Sequence, residues 1–123
     1  MTRDIGVHGN LFGGIMMGWV DEAASIYACQ VCGSSNMVTI KVDEVIFKKK
    51  IKVGFVIKIY AEVLQIGRTS VMLGIEAHKR SIYSGEEEVV LSTKTTFVRL
   101  DEAGEPTPIA SSILERYKHL SKY

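Results

Sequence analysis

The sequence lacks most features that announce a function through bulk composition. It has two cysteines, one tryptophan and two prolines, and its 15 Lys+Arg against 14 Asp+Glu leave a net charge of +1. So even a balance supplies no global field for nucleic acid or a membrane surface. No apolar run approaches the roughly 20 residues of a membrane span. The start, Met1-Thr2-Arg3-Asp4, carries an acid and does not read as a cleaved signal peptide. These absences point to a cytoplasmic protein with no membrane insertion and no nucleic-acid partner. No repeat, linker or low-complexity segment divides the chain, so a single domain over 1–123 is expected.

The cysteines, Cys29 and Cys32, stand in C-x-x-C spacing. A redox motif places its first cysteine at a helix N-terminus, where the dipole lowers the thiol pKa. Here both fall near the end of a predicted helix, where the dipole acts the other way. No second pair completes a zinc site. Two inert, partly buried thiols are expected, and no metal.

What is present begins with His8-Gly9-Asn10-Leu11-Phe12-Gly13-Gly14, a glycine-rich loop. It runs into a predicted helix over 14–32 that is apolar on most of its circumference, and Gly33-Ser34-Ser35-Asn36 stops it. A helix this apolar is usually enclosed by other structure. Asp21 sits two turns inside, and a carboxylate there is costly unless paired. Either Asp21 has a structural partner or it is kept for chemistry. Gly14, Gly18, Asp21 and Ser25 share one helical face, so another backbone can approach the acid closely. Ser25 is placed to hydrogen-bond it.

Beyond Asn36 the period changes to two. Val38, Ile40 and Val42 alternate with polar residues as a strand with one buried face, and the parity slips at Asp43-Glu44, which a bulge explains. Further strands are read at 55–63, 71–80 and 89–99, with a polar turn at Ser84-Gly85-Glu86. Residues 109–123 read as a weakly amphipathic helix or tail. Short connections predict antiparallel neighbours, and segregated helix and strands predict an α+β fold with the sheet wrapped on the helix. Such a layer pair has open edges, which dimerising edge to edge would cover.

Two stretches resemble the hotdog-fold acyl-CoA thioesterases, in particular the small bacterial single-domain type related to the brain-type acyl-CoA hydrolases. One is Gly9-Asn10-Leu11-Phe12-Gly13-Gly14 followed by Trp19-Val20-Asp21-Glu22-Ala23-Ala24, with the acid seven residues after the second loop glycine. The other is Val63-Leu64-Gln65-Ile66-Gly67-Arg68-Thr69-Ser70, similar to the family's V-G-R-T/S-S turn. The likeness spans roughly residues 4–109. It implies a hotdog fold, a long central helix wrapped by a curved antiparallel sheet, in a homodimer and a trimer of dimers. Family members begin with a further strand. Only residues 1–7 stand there, so that strand is expected to be missing.

The resemblance implies thioester hydrolysis with no cofactor beyond coenzyme A as part of substrate or product. Asp21 becomes the general base or nucleophile. The backbone N–H near Gly13 and Gly14, at the helix start, becomes the oxyanion donor. Along one helix the two lie about 10 Å apart, too far to serve one carbonyl, and the family's answer is a dimer that contributes one half from each subunit. Family members often carry an asparagine, three residues before the glycine matching Gly9, that orients the thioester or water. Gly6 occupies that position here. His8, Asn10, Phe12 and Ser25 are assigned to substrate binding near the acid. Arg68, Thr69 and Ser70 are assigned to pantetheine or phosphate contacts. Lys48, with Lys49, Lys50 and Lys52, is assigned to the CoA phosphates. Met16, Met17 and Trp19 suit a malleable acyl tunnel. The competing reading is a non-catalytic acyl-CoA binder, for which Gly6 is the motive. A hotdog dehydratase is disfavoured, because its helix often carries a histidine and this one has none.

Overall fold

Four strands alternate apolar with polar residues, and one helix carries apolar residues four apart. Each element therefore has one face that must be covered. In the computed structural model, which describes residues 9–47 and 55–120, these faces meet. Helix α1 (Gly9–Cys32) is followed by strands β1 (Met37–Phe47), β2 (Phe55–Ile66), β3 (Ser70–Ser81) and β4 (Glu87–Arg99). A short helix α2 (Ser111–Arg116) and a 3-10 turn over Lys118–Leu120 close the described chain. Residues 1–7, where a family strand was expected to be missing, lie outside the described residues, as do His8 and the lysines at 48, 49, 50 and 52.

Helix α1 buries Met16, Val20, Ala24, Ala28 and Val31, spaced four, four, four and three. The two alanines let the sheet approach closely. The helix ends as expected: Gly33 takes φ 60°, which a glycine reaches without strain, and Ser34 N–H bonds back to Cys29 carbonyl at 3.2 Å. Its start corrects the sequence reading. α1 begins at Gly9, five residues ahead of Gly14. The four-residue apolar spacing continues upstream through Phe12 in the sequence. That periodicity outweighs the cost of three glycines, each about 1 kcal/mol less favourable than alanine.

The sheet order is β1-β4-β3-β2, antiparallel throughout. The β2–β3 and β3–β4 neighbours follow from short connections. β1 does not. It pairs with β4, so consecutive strands β1 and β2 stand at opposite edges. That corrects the expectation that short connections make every consecutive pair neighbours. Three strand spacings are about 14 Å, and the eight residues from Phe47 to Phe55 can reach about 26 Å, so the link is long enough to cross.

The β1 parity slip is a register shift between Asp43 and Ile46. Another register shift, between Val63 and Gln65 of β2, leaves Leu64 as an extra residue. Leu64 covers Gly74, where an added Cβ would sit 3.0–3.2 Å from the Leu64 side chain.

The core lies between α1 and the inward face of the sheet: Val71, Leu73, Ile75 and Ala77 from β3, and Leu91 and Phe97 from β4. Ile109 closes it from the C-terminal side, and Ile113, Leu114, Tyr117 and Leu120 pack against it. Thr93 and Thr95 are the buried polar residues of this face, 4% and 3% exposed. Thr93 hydroxyl donates to Asp43 carbonyl at 3.1 Å, tying β4 to β1 at the bulge.

The expected buried face of β1 is not buried. Val38, Ile40, Val42, Val45 and Ile46 are all exposed, Ile40 at 58%. Alternation identifies which residues share a face, but covering that face on an edge strand takes a further element. α1 is likewise covered along one stripe only, leaving Trp19, Asp21, Glu22 and Ile26 exposed. An enclosed helix was expected, and within one chain it is not enclosed.

Asn36 fastens the junction between α1 and β1. Its amide donates to the carbonyls of Leu100 and Asp101, both at 3.1 Å, and its own carbonyl accepts from Leu100 N–H at 3.0 Å. Asn36→Ala keeps the backbone bond and loses the other two. The expected cost is about 1 kcal/mol, read in urea as a lower midpoint with an unchanged slope.

Candidate active site

Asp21 is exposed, and among the described residues no hydrogen bond or ion pair engages it. The expected desolvation cost therefore does not arise in a single chain. Ser25, four residues on, is half-buried and makes no hydrogen bond to the acid. Gly18 faces open space, with nothing within 4 Å of an added Cβ. The face Gly18-Asp21-Ser25 is thus a small-residue surface around a carboxylate that no described residue engages.

Burial, with Tyr117 and Glu62 nearby, pushes the Tyr27 hydroxyl above its ordinary pKa. Asp21 is six residues away, a rotation of about 120° on the helical wheel, and stands among the exposed residues of α1 outside its buried stripe.

Gly13 and Gly14 lie beyond the first turn of α1. In a continuous helix the Gly14 amide bonds the carbonyl of Asn10, so the unbonded amides belong to the first turn instead. A donor at Gly14 therefore requires the first turns of α1 to open. No acidic residue occupies that first turn. The backbone of Asn10 and Phe12 belongs to α1, and their side chains lie outside the description.

Arg68, Thr69 and Ser70 form the β2–β3 turn. Their three carbonyls are engaged: Ser70 carbonyl accepts from Gly67 N–H at 2.8 Å, Thr69 carbonyl from Arg99 N–H at 2.9 Å, and Arg68 carbonyl from Ile109 N–H at 2.8 Å. The exposed Arg68 guanidinium has no partner among the described residues. This turn does not join the helix start. Ser70 pairs with Val98, as does Val38, two residues into the strand that follows α1. The turn therefore stands at the C-terminal end of α1, and Gly9–Gly14 stand at the other, with a 24-residue helix of about 36 Å between them. One chain holds the two halves of the expected site at opposite ends.

Cys32 is buried, and burial pushes its thiol up to about 11, with Cys29 adding to the shift. It stays protonated at neutral pH, as expected of an inert thiol. Among the described residues no group of three His, Cys, Asp or Glu side chains is arranged to hold a metal ion. No described helix is long and apolar enough to cross a membrane.

Sequence reasoning missed the polar group on the outward face of the sheet: Lys58, Tyr60, Glu76, His78 and Glu87. The available signal was parity, since 58 and 60, and 76 and 78, each fall on one face of their strand. Register brings them together, and alternation does not specify register.

Residues 8–86 match the family model of the thioesterase superfamily. The chain is 30% identical over 109 residues to an uncharacterized acyl-CoA thioester hydrolase of Zymomonas mobilis, covering 89% of this chain and 72% of that one. It is 28% identical to the acyl-CoA thioester hydrolase YciA of Salmonella typhimurium, covering 89% and 84%. A hexameric hotdog fold thioesterase of Campylobacter jejuni superposes with TM-score 0.80 at 29% identity, over 96% of this chain and 90% of that one. An acyl-CoA hydrolase of Staphylococcus aureus, solved with butyryl coenzyme A and coenzyme A, superposes with TM-score 0.78 at 27% identity, over 95% and 80%. With this likeness running through both motifs and all four strands, the chain belongs to the thioesterase superfamily and has the hotdog fold.

Proposed function

We propose that this protein is an acyl-CoA thioesterase, hydrolysing an acyl-CoA to the free acid and CoA. One observation carries the reading: near-complete structural likeness to acyl-CoA hydrolases, with an exposed Asp21 on the central helix that no described residue engages. In this reading Asp21 takes a proton from water as it attacks the thioester carbonyl, or attacks the carbonyl itself. The carbonyl oxygen takes up negative charge and is stabilised by amides at the α1 start. The C–S bond then breaks, the CoA sulfur leaves and is protonated, and where Asp21 itself attacked, water cleaves the acyl-Asp21 anhydride to release the acid.

The donors are assigned to Gly13 and Gly14. Three glycines among Gly9–Gly14 weaken the first turns, and opening them frees the amides of both residues.

The site is shared between chains. Pairing two chains antiparallel along β1 covers its exposed aliphatic residues and turns the ends of α1 against each other. The Arg68 turn of one protomer then approaches the helix start of its partner. Arg68, Thr69 and Ser70 contact CoA there, with Lys48 of the basic connection on the phosphates and His8, Asn10, Phe12 and Ser25 around the thioester. Each chain supplies one domain, 1–123, to a homodimer and to a trimer of dimers. The hexameric relatives support the larger assembly. Coenzyme A enters only as part of substrate and product, in the cytoplasm.

A thiol-release assay over acyl-CoAs of graded chain length tests the proposal. Turnover of at least one chain length is expected. Tight acyl-CoA binding with no thiol release by any of them would leave the non-catalytic binder that Gly6 suggests.

A further inference from the structure

The outward face of the sheet carries a polar group that hydrolysis does not use. The inward residues of β2 and β3 are odd-numbered, so Lys58, Tyr60, Glu76 and His78 point away from α1. Across this face Lys58 pairs with His78, and Tyr60 with Glu76. Glu87, at the start of β4, reaches over β3 toward β2. Its carboxylate accepts from Tyr60 hydroxyl at 3.0 Å and meets Lys58 Nζ at 3.1 Å. The Tyr60 and His78 rings lie 4.6 Å apart, tilted by 59°.

The two nitrogens of His78 face two different carboxylates. Nδ1 is 3.3 Å from Glu87 Oε2, and Nε2 is 3.0 Å from Glu76 Oε1. A neutral imidazole has one N–H and one lone pair. In either neutral tautomer a lone pair would face an anionic oxygen. Only the imidazolium donates to both. Hydrogen bonding from Lys58 holds the Glu87 carboxyl below its ordinary range, so it remains an anion while a histidine titrates. Arg80, the next outward residue of β3, pairs in register with Glu87 of β4, and Lys79 beside it lies 3.8 Å from Glu88.

We propose that His78 is a proton-operated clasp, which in its imidazolium form ties β4 to β3 and β2 at the base of the β3–β4 hairpin. The hairpin tip carries Tyr83, 90% exposed, and Ile82. Protonation gives three strands a common anchor through Glu87. Loss of the proton leaves one carboxylate against a lone pair and slackens the base of the hairpin. The direction is fixed: the clasp stabilises while the imidazole donates to both carboxylates and fades as pH rises and one of those protons is lost.

The test uses the full chain in its native assembly. Wild type is expected to melt about 3 °C above His78→Gln at pH 6, with the gap closed by pH 8.5. Glu76→Gln, which keeps the shape and removes one anion, is expected to lose about half of that gap. Ring 15N shifts at pH 6 are expected to show both His78 nitrogens protonated. A gap that stays constant between the two pH values overturns the clasp, and so does a neutral single tautomer at pH 6. The 15N measurement and Glu76→Gln decide the matter even where His78→Gln does not fold.

Discussion

Asp21→Asn is expected to lower kcat for acyl-CoA hydrolysis by about 10³-fold or more while the protein keeps its fold and assembly. The magnitude is that of removing a general base, or more where the group is the nucleophile. The fold is expected to survive because Asp21 is exposed and no described residue depends on it. Asparagine keeps the volume and removes the charge and the proton-accepting oxygen. Circular dichroism and sedimentation establish the fold and assembly, and the thiol-release assay reads the rate. Turnover within a few-fold of wild type across all chain lengths would remove Asp21 from the chemistry. It would leave the acid a surface charge in an interface.

The second large effect belongs to β1. Ile40→Lys with Val42→Lys is expected to convert the assembly to monomers and to cut hydrolysis at least about 10²-fold, the loss of one oxyanion donor. Both side chains stand on the open edge, and a lysine on an edge strand is a known way to prevent strand addition. The monomer keeps its own core, since Phe97, Leu73 and the α1 stripe do not involve either residue's exposed atoms. Activity falls because the Arg68 turn and the helix start lie at opposite ends of one chain. Analytical ultracentrifugation and the thiol-release assay read the two outcomes together. Monomers with full activity would place a complete site within one chain. An intact assembly would move the contact to another edge.

The strands were legible because alternation over ten or more residues has few competing explanations. Val71, Leu73, Ile75 and Ala77 read as an inward row, and they form one. The slip after Asp43 read as a bulge, and β1 shifts register there. Alternation carries no information on partners, however, and the β1–β4 pairing was hidden for that reason. The same limit concealed His78, whose neighbours come from three strands. The helix end was legible because Gly33 is the residue a left-handed cap requires. The start was not, because Gly9, Gly13 and Gly14 suit a loop as well as a weak first turn.

Asp21 illustrates a different limit. Its apolar surroundings in the sequence implied burial, and the single chain leaves it in the open. The apolar residues near it, Trp19 and Ile26 among them, are exposed as well. Under the proposed pairing a second chain would cover that side of the helix, which a single chain leaves open.

The placement of the Arg68 turn and the Gly9–Gly14 segment at opposite ends of α1 also sets how defects combine. Under twofold pairing each dimer has two sites, and every site borrows from both chains. A chain defective only in Asp21 spoils one site of a mixed dimer, and a chain defective only at the other half spoils one as well. When two such chains meet, both faults fall on the same site and its twin is entirely wild type. Two individually dead proteins would then regain activity on mixing, with half the sites of each mixed dimer restored.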